Sequence, residues 1–135
     1  MFRHLFNVLH SIVRESAKHG NVVSAAICGE APRSSGWRKV EKEHLLAEPR
    51  CRACGGIKLL QVHHKQPFHE FKNLELDPNN LITLCMGEFE CHLKIGHGDD
   101  WQMYNPNVID DCRTALTRPE WRSTVEARAK RNRKA

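Results

Sequence analysis

No apolar run in this 135-residue chain approaches the roughly 20 residues needed to cross a bilayer, so no membrane span is expected. The opening stretch, MFRHLFNVLHSIVRESAKHG, alternates polar and apolar groups and lacks a signal-peptide core. A cytoplasmic location is expected, and secretion is not. There is no internal repeat, no low-complexity tract apart from a basic tail, and no recognisable module for reading a DNA sequence. Each sign of charge is scarce somewhere. Between Glu70 and Asp111 only two basic groups accompany nine acidic ones, and from Arg118 to Ala135 only two acidic groups accompany seven basic ones. The net charge of +5 permits nucleic-acid binding without establishing it. The cluster Arg128 to Lys134 reads either as a phosphate contact or as a solvated end.

Histidine and cysteine are abundant: nine of the first and six of the second. Cys51 and Cys54 enclose two residues and precede Gly55-Gly56, a turn short enough to aim two thiolates at one ion. Cys85 and Cys91 form a second pair after an apolar run. Four thiolates suit tetrahedral zinc in a reducing compartment, which we favour over a redox CxxC or disulfides. Cys28 and Cys112 are expected to be buried thiols.

Phe2, Leu5, Phe6, Leu9, Ile12 and Val13 recur at helical spacing, predicting a helix packed on the core or on a partner subunit. Gly29 to Gly36 reads as a linker. Trp37 to Glu48 is a second predicted helix, ended by Pro49, with Trp37, Val40 and Leu45 inward. A strand from Ile57 to His64, a long loop, a strand from Asn80 to Cys85 and a short helix from Cys91 to Ile95 follow. Val108, Ile109, Cys112 and Leu116 fit a further helix. Thr117 and Glu120 suggest a capping box opening a last one, with Trp121 and Val125 as inward anchors. The expected divisions are 1–36 (helix and linker), 37–116 (main domain) and 117–135 (closing helix and basic tail).

His63 and His64 are adjacent at a strand end, so a regular strand sends them to opposite sides. One imidazole can then bind an ion while the other serves as a base near neutral pH. His92 follows a cysteine of the zinc set and is thereby held in place. Spacing alone leaves structural or solvent-exposed roles open for all three.

The strings Cys51-Arg-Ala-Cys54-Gly55, Val62-His63-His64, Asn79-Asn80-Leu81-Ile82-Thr83-Leu84-Cys85 and Cys91-His92 together resemble an HNH endonuclease, especially the small phage and prophage type with a four-cysteine zinc site. The resemblance covers residues 51 to 98. It implies an α+β fold: a ββα-metal (His-Me finger) core stapled by zinc, with flanking helices. It also implies His64 as general base, His63 and His92 as ligands of a catalytic divalent ion, and Asn80 as the residue that holds the loop and orients the base. Cys51, Cys54, Cys85 and Cys91 match the separate structural zinc site. Double-stranded DNA is the implied substrate, with a terminase large subunit or a second copy of the chain as implied partners.

The implied chemistry is hydrolysis of a DNA phosphodiester to 5′-phosphate and 3′-hydroxyl ends. With two protein ligands, the catalytic ion is expected to be Mg²⁺ or Mn²⁺, with Ni²⁺ as a further option. The competing class is a non-catalytic zinc module that binds nucleic acid or protein. Five residues separate Cys85 from Cys91 where the family usually has two, so His97 stands in reserve should His92 fall short. Such a nuclease needs His64 open to water, and ring nitrogens of His63 and His92 within roughly 6 Å.

Overall fold

The computed structural model describes residues 32–134. The predicted N-terminal helix, the segment Val22 to Cys28 and the first three residues of the linker lie outside the described residues. The chain divides into two compact units at Ser35/Gly36. No described helix is long and apolar enough to cross a membrane.

Helix α1 (Trp37–Ala47) ends at Glu48, just before Pro49. Trp37 is buried, and Val40 and Leu45 pack with it against Val62 and Leu81, while Arg38, Lys39 and Lys42 face solvent. Glu48 ties the helix end to the sheet. Its carboxylate accepts from the Thr83 amide at 2.6 Å and from Arg52 at 2.8 Å, and its carbonyl accepts from the Thr83 hydroxyl.

Strand β1 (Leu60–His64) pairs antiparallel with β2 (Leu81–Cys85), Leu60 opposite Cys85 and His64 opposite Leu81. β1 starts later than predicted because its partner ends at Cys85. Ile57 and Leu59 therefore lack a neighbour strand and stand exposed, and Leu59 turns through a positive φ of 51°. Side chains alternate across the hairpin: Val62 and His64 face α1, whereas Gln61, His63, Ile82 and Leu84 face the opposite side. All five β2 residues are buried, as expected for a strand covered on both faces.

The predicted short helix is a π-helix, His92–Gly96. Two further helices, α2 (Val108–Thr117) and α3 (Arg122–Asn132), complete the unit. The main core joins Ile82, Leu84, Ile95, Val108, Cys112, Ala115 and Val125 around the cysteines. This is an α+β fold, a ββα-metal core with flanking helices.

Three local expectations fail for physical reasons. The buried stripe of α2 is Val108, Asp111, Cys112 and Ala115, and Leu116 is exposed. The stripe is displaced because a buried acid occupies the inward face. Asp111 accepts from Asn105 Nδ2 at 2.7 Å and from Arg128 Nε. Asn105 also donates to the Ile95 carbonyl, and its own amide donates to the Gly96 carbonyl. Asn105 thus satisfies carbonyls that a terminating helix leaves without partners. The Thr117 capping box does not form: the Thr117 hydroxyl bonds back to the Arg113 carbonyl, and a single turn, Pro119–Trp121, precedes α3. Trp121 is correspondingly half-exposed beneath Arg118, while Val125 is buried as predicted.

Four cations of the basic tail reach acids of the same chain. Arg128 pairs with Asp111, Lys130 with Asp99 at 3.6 Å, Arg133 with Asp100 at 3.7 Å and Lys134 with Glu70 at 3.0 Å. The tail's positive excess is thus directed at the acidic stretch of the same chain.

Asp111→Ala is expected to lower the unfolding free energy by about 2–3 kcal/mol, because buried Asn105 loses its acceptor. Asp110→Ala, which breaks only an exposed pair with Arg113, should change it by less than about 0.5 kcal/mol. Urea unfolding of the two variants checks both values.

Candidate metal centres

Cys51, Cys54, Cys85 and Cys91 converge with their sulfurs within 4.8 Å of one another, and all are free thiols. The hairpin register brings this about. Leu60 pairs with Cys85, so the knuckle just before β1 lies beside the end of β2, and the Arg52 amide bonds to the Thr83 carbonyl. Gly55 completes the knuckle at φ +75°, a conformation that favours glycine. The longer Met86–Glu90 connection closes through a turn with Glu90 at φ +45°, which returns Cys91 to the cluster despite the extra residues.

The donors fit zinc. Cys54 Sγ and Cys85 Sγ are 3.6 Å apart, and thiolates about 2.3 Å from a tetrahedral zinc would stand about 3.8 Å apart. The Gly56 amide donates to Cys54 Sγ, and Arg122 Nη1 to Cys91 Sγ, each at 3.4 Å. Without a cation the thiols cannot all ionise. The hydrogen bond from Cys91 draws Cys51 down to about 5, burial pushes Cys54 up to about 11, and donation to Cys51 pushes Cys91 up. The cluster has the donor set, enclosure and spacing of a structural zinc site.

One residue beyond Cys91, a second cluster begins. His63, His92 and His97 bring ring nitrogens within 4.8 Å of one another, and their ring centroids stand 4.9–5.1 Å apart. In an α-helix His92 and His97 would diverge by about 140°. The π-turn, in which the His97 amide bonds to the His92 carbonyl, swings them to one side. Gly96 matters here, since a Cβ would lie 3.0 Å from Leu84 and 3.1 Å from the His63 ring.

The three rings are prepared as ligands. His92 Nδ1 donates to Gln61 Oε1 at 2.7 Å, and His97 Nδ1 to the Met103 carbonyl at 2.6 Å, which leaves the lone pair of each on Nε2. Such bonds from the far nitrogen are the usual support of a metal-bound histidine. His63 Nε2 is buried without a hydrogen-bond partner, an orphan that a cation would satisfy. Burial, reinforced by neighbouring His92 and His97, holds His63 well below its ordinary value. Burial, with His97 and His64, takes His92 down to about 3. Both are neutral at pH 7, as ligands must be. Two histidine ligands were expected, and three converge.

His64 lies on the other face of β1. Its Nε2 donates to the Glu75 carbonyl at 2.9 Å, placing the lone pair on Nδ1. Its ring stacks against Trp37 at 4.7 Å, and the residue is buried, with 7% of it exposed, so the expectation that His64 stands open to water is not met in this structure. Asn80 secures the loop that follows. Its Oδ1 accepts from the Gln66 amide at 2.8 Å, and its Nδ2 donates to the carbonyls of Gln66 and Leu74. The backbone beside Glu75, the partner of His64, is thereby fixed.

A family model described as HNH endonuclease matches residues 49–98. Over those residues the chain is similar to the HNH endonucleases. Comparison with curated proteins and with solved structures gives no match. The HNH segment contains every residue of both metal clusters, together with His64 and Asn80. Of its supporting groups, sequence reasoning missed Gln61, which is two residues from His63 and so on the same strand face. It also missed Arg122, Asn105 and Asp111, which lie outside the segment and carry no local signature.

Purified protein is expected to retain one zinc per chain after dialysis. Cys54→Ser and Cys91→Ser should lose it and lower Tm by more than about 10 °C. Cys112→Ser, removing a buried thiol outside the cluster, should keep the full complement by metal analysis.

Proposed function

We propose that this protein is a metal-dependent endonuclease hydrolysing DNA phosphodiesters. The observation that carries the reading is the convergence of three imidazoles at the orphaned His63 Nε2, within a segment that matches the HNH family model. His63, His92 and His97 would hold the catalytic ion. Three imidazoles suit Zn²⁺, Ni²⁺ or a similar transition ion better than Mg²⁺, which prefers oxygen donors. When bound, the ion would offset charge on a phosphate oxygen and on the departing 3′ oxygen.

The chain's own contribution is proton transfer and placement. His64 Nδ1 takes a proton from the attacking water, the bond to the Glu75 carbonyl holding the ring in the required tautomer. Asn80 acts as a positioning residue by clamping the loop that presents that carbonyl. The water oxygen bonds to phosphorus as the bond to the 3′ oxygen breaks, and that oxygen takes a proton from solvent, which leaves 5′-phosphate and 3′-hydroxyl ends. Residues 37–116 form the nuclease domain, closed by 117–135 and preceded by 1–36. Double-stranded DNA is the substrate class that the family suggests, and a terminase large subunit or a second copy of this chain its partner.

Plasmid cleavage by zinc-loaded protein, titrated with Ni²⁺, Mn²⁺, Mg²⁺ and EDTA, tests this. We expect ion-dependent nicking or linearisation that EDTA stops. His64→Ala should lower the rate at least about 100-fold with the second ion still bound, and His97→Ala should weaken that ion by more than about tenfold. Undiminished cleavage by His64→Ala would remove its role as base. DNA binding without cleavage under any ion would favour the non-catalytic module.

A further inference from the structure

Trp101 is half-exposed, at 52%, on a chain segment built to hold it against the histidine cluster. Its ring lies 5.2 Å from His92, edge to face, and 4.9 Å from His97. The turn that carries it is fastened on both sides. The Asp99 amide bonds to the Leu93 carbonyl, and the Met103 amide to the Asp100 carbonyl. Asp100 Oδ1 also caps the Gln102 amide. Lys130 and Arg133 of the tail pair with Asp99 and Asp100, and the Met103 carbonyl takes the His97 proton. Tryptophan is a residue that folding usually hides. Trp37 is buried, and Trp121 has Arg118 over its ring. Among the described tryptophans, Trp101 alone has ring contacts with His92 and His97.

We propose that Trp101 is a stacking platform for a nucleobase next to the phosphate handled at the histidine cluster, and that this base is unpaired or extruded. The inference rests on the nuclease reading for the presence of nucleic acid, and it adds which part of the substrate is held. An indole face accepts any base, because every base has a π-face. Within an intact duplex both faces of a base are already stacked, so a base reaching Trp101 must leave the stack. The ion-paired turn keeps the indole in place before substrate arrives, which limits the ordering cost of binding.

The test compares two phosphorothioate single strands of equal length, one complete and one lacking its central bases. Binding to zinc- and Ni²⁺-loaded full chain is followed by fluorescence anisotropy. Wild type should bind the complete strand about tenfold more tightly. Trp101→Leu should bind both strands alike, at the abasic affinity, and Trp101→Phe should fall between. Equal binding of the two strands by wild type would overturn the proposal, as would a preference surviving in Trp101→Leu. Zinc content and far-UV circular dichroism report whether the Leu variant folds; if it does not, wild type against Trp101→Phe decides. A base preference without plasmid cleavage would sink the nuclease reading and leave the stacking site standing.

Discussion

A single peptide bond joins the two clusters. Cys91 completes the thiol set and His92 belongs to the histidine set, so whatever fixes the first positions the second. The knuckle at Cys51 and Cys54, the hairpin register that sets Cys85 beside it, and the Arg122 guanidinium bonded to Cys91 and to the Ala53 carbonyl all act on this junction. Zinc held by four thiolates supplies rigidity that a core of this size would not provide alone. The two clusters differ in donor chemistry: four thiols in one and three imidazole nitrogens in the other.

The π-turn is the second requirement. Irregular turns of this kind are uncommon and recur at functional positions, and this one is supported from outside. Asn105 takes the end carbonyls, Asp111 orients Asn105, and Arg128 balances Asp111. The acidic stretch and the basic tail, which look unbalanced when read separately, thereby become one set of internal contacts. They connect α3 to the segment carrying His97 and Trp101.

Much of this was legible in the chain. Zinc ligands come as close pairs whose spacing survives folding, so Cys51, Cys54, Cys85 and Cys91 could be grouped from the sequence. His63 and His64 diverge as alternation on a strand requires, and the longer gap before Cys91 is absorbed by a turn at Glu90. His97 was harder to place, because helical periodicity sets it opposite His92 and only a π-turn reverses that. Asp111 went unrecognised as an inward residue of its helix. Its partners, Asn105 and Arg128, come from separate segments. The tail's ion pairs likewise join residues far apart in sequence. Trp101 carried no pattern at all, and its place depends on tertiary contacts.

The central claim is that two metal sites of different chemistry meet at Cys91–His92. X-ray absorption on protein loaded with one zinc and one Ni²⁺ addresses it most directly. The account predicts four sulfurs at about 2.3 Å around zinc, and a nickel shell of imidazole nitrogens and oxygens without sulfur. Sulfur in the nickel shell, imidazole in the zinc shell, or nickel lacking imidazole scattering would contradict it.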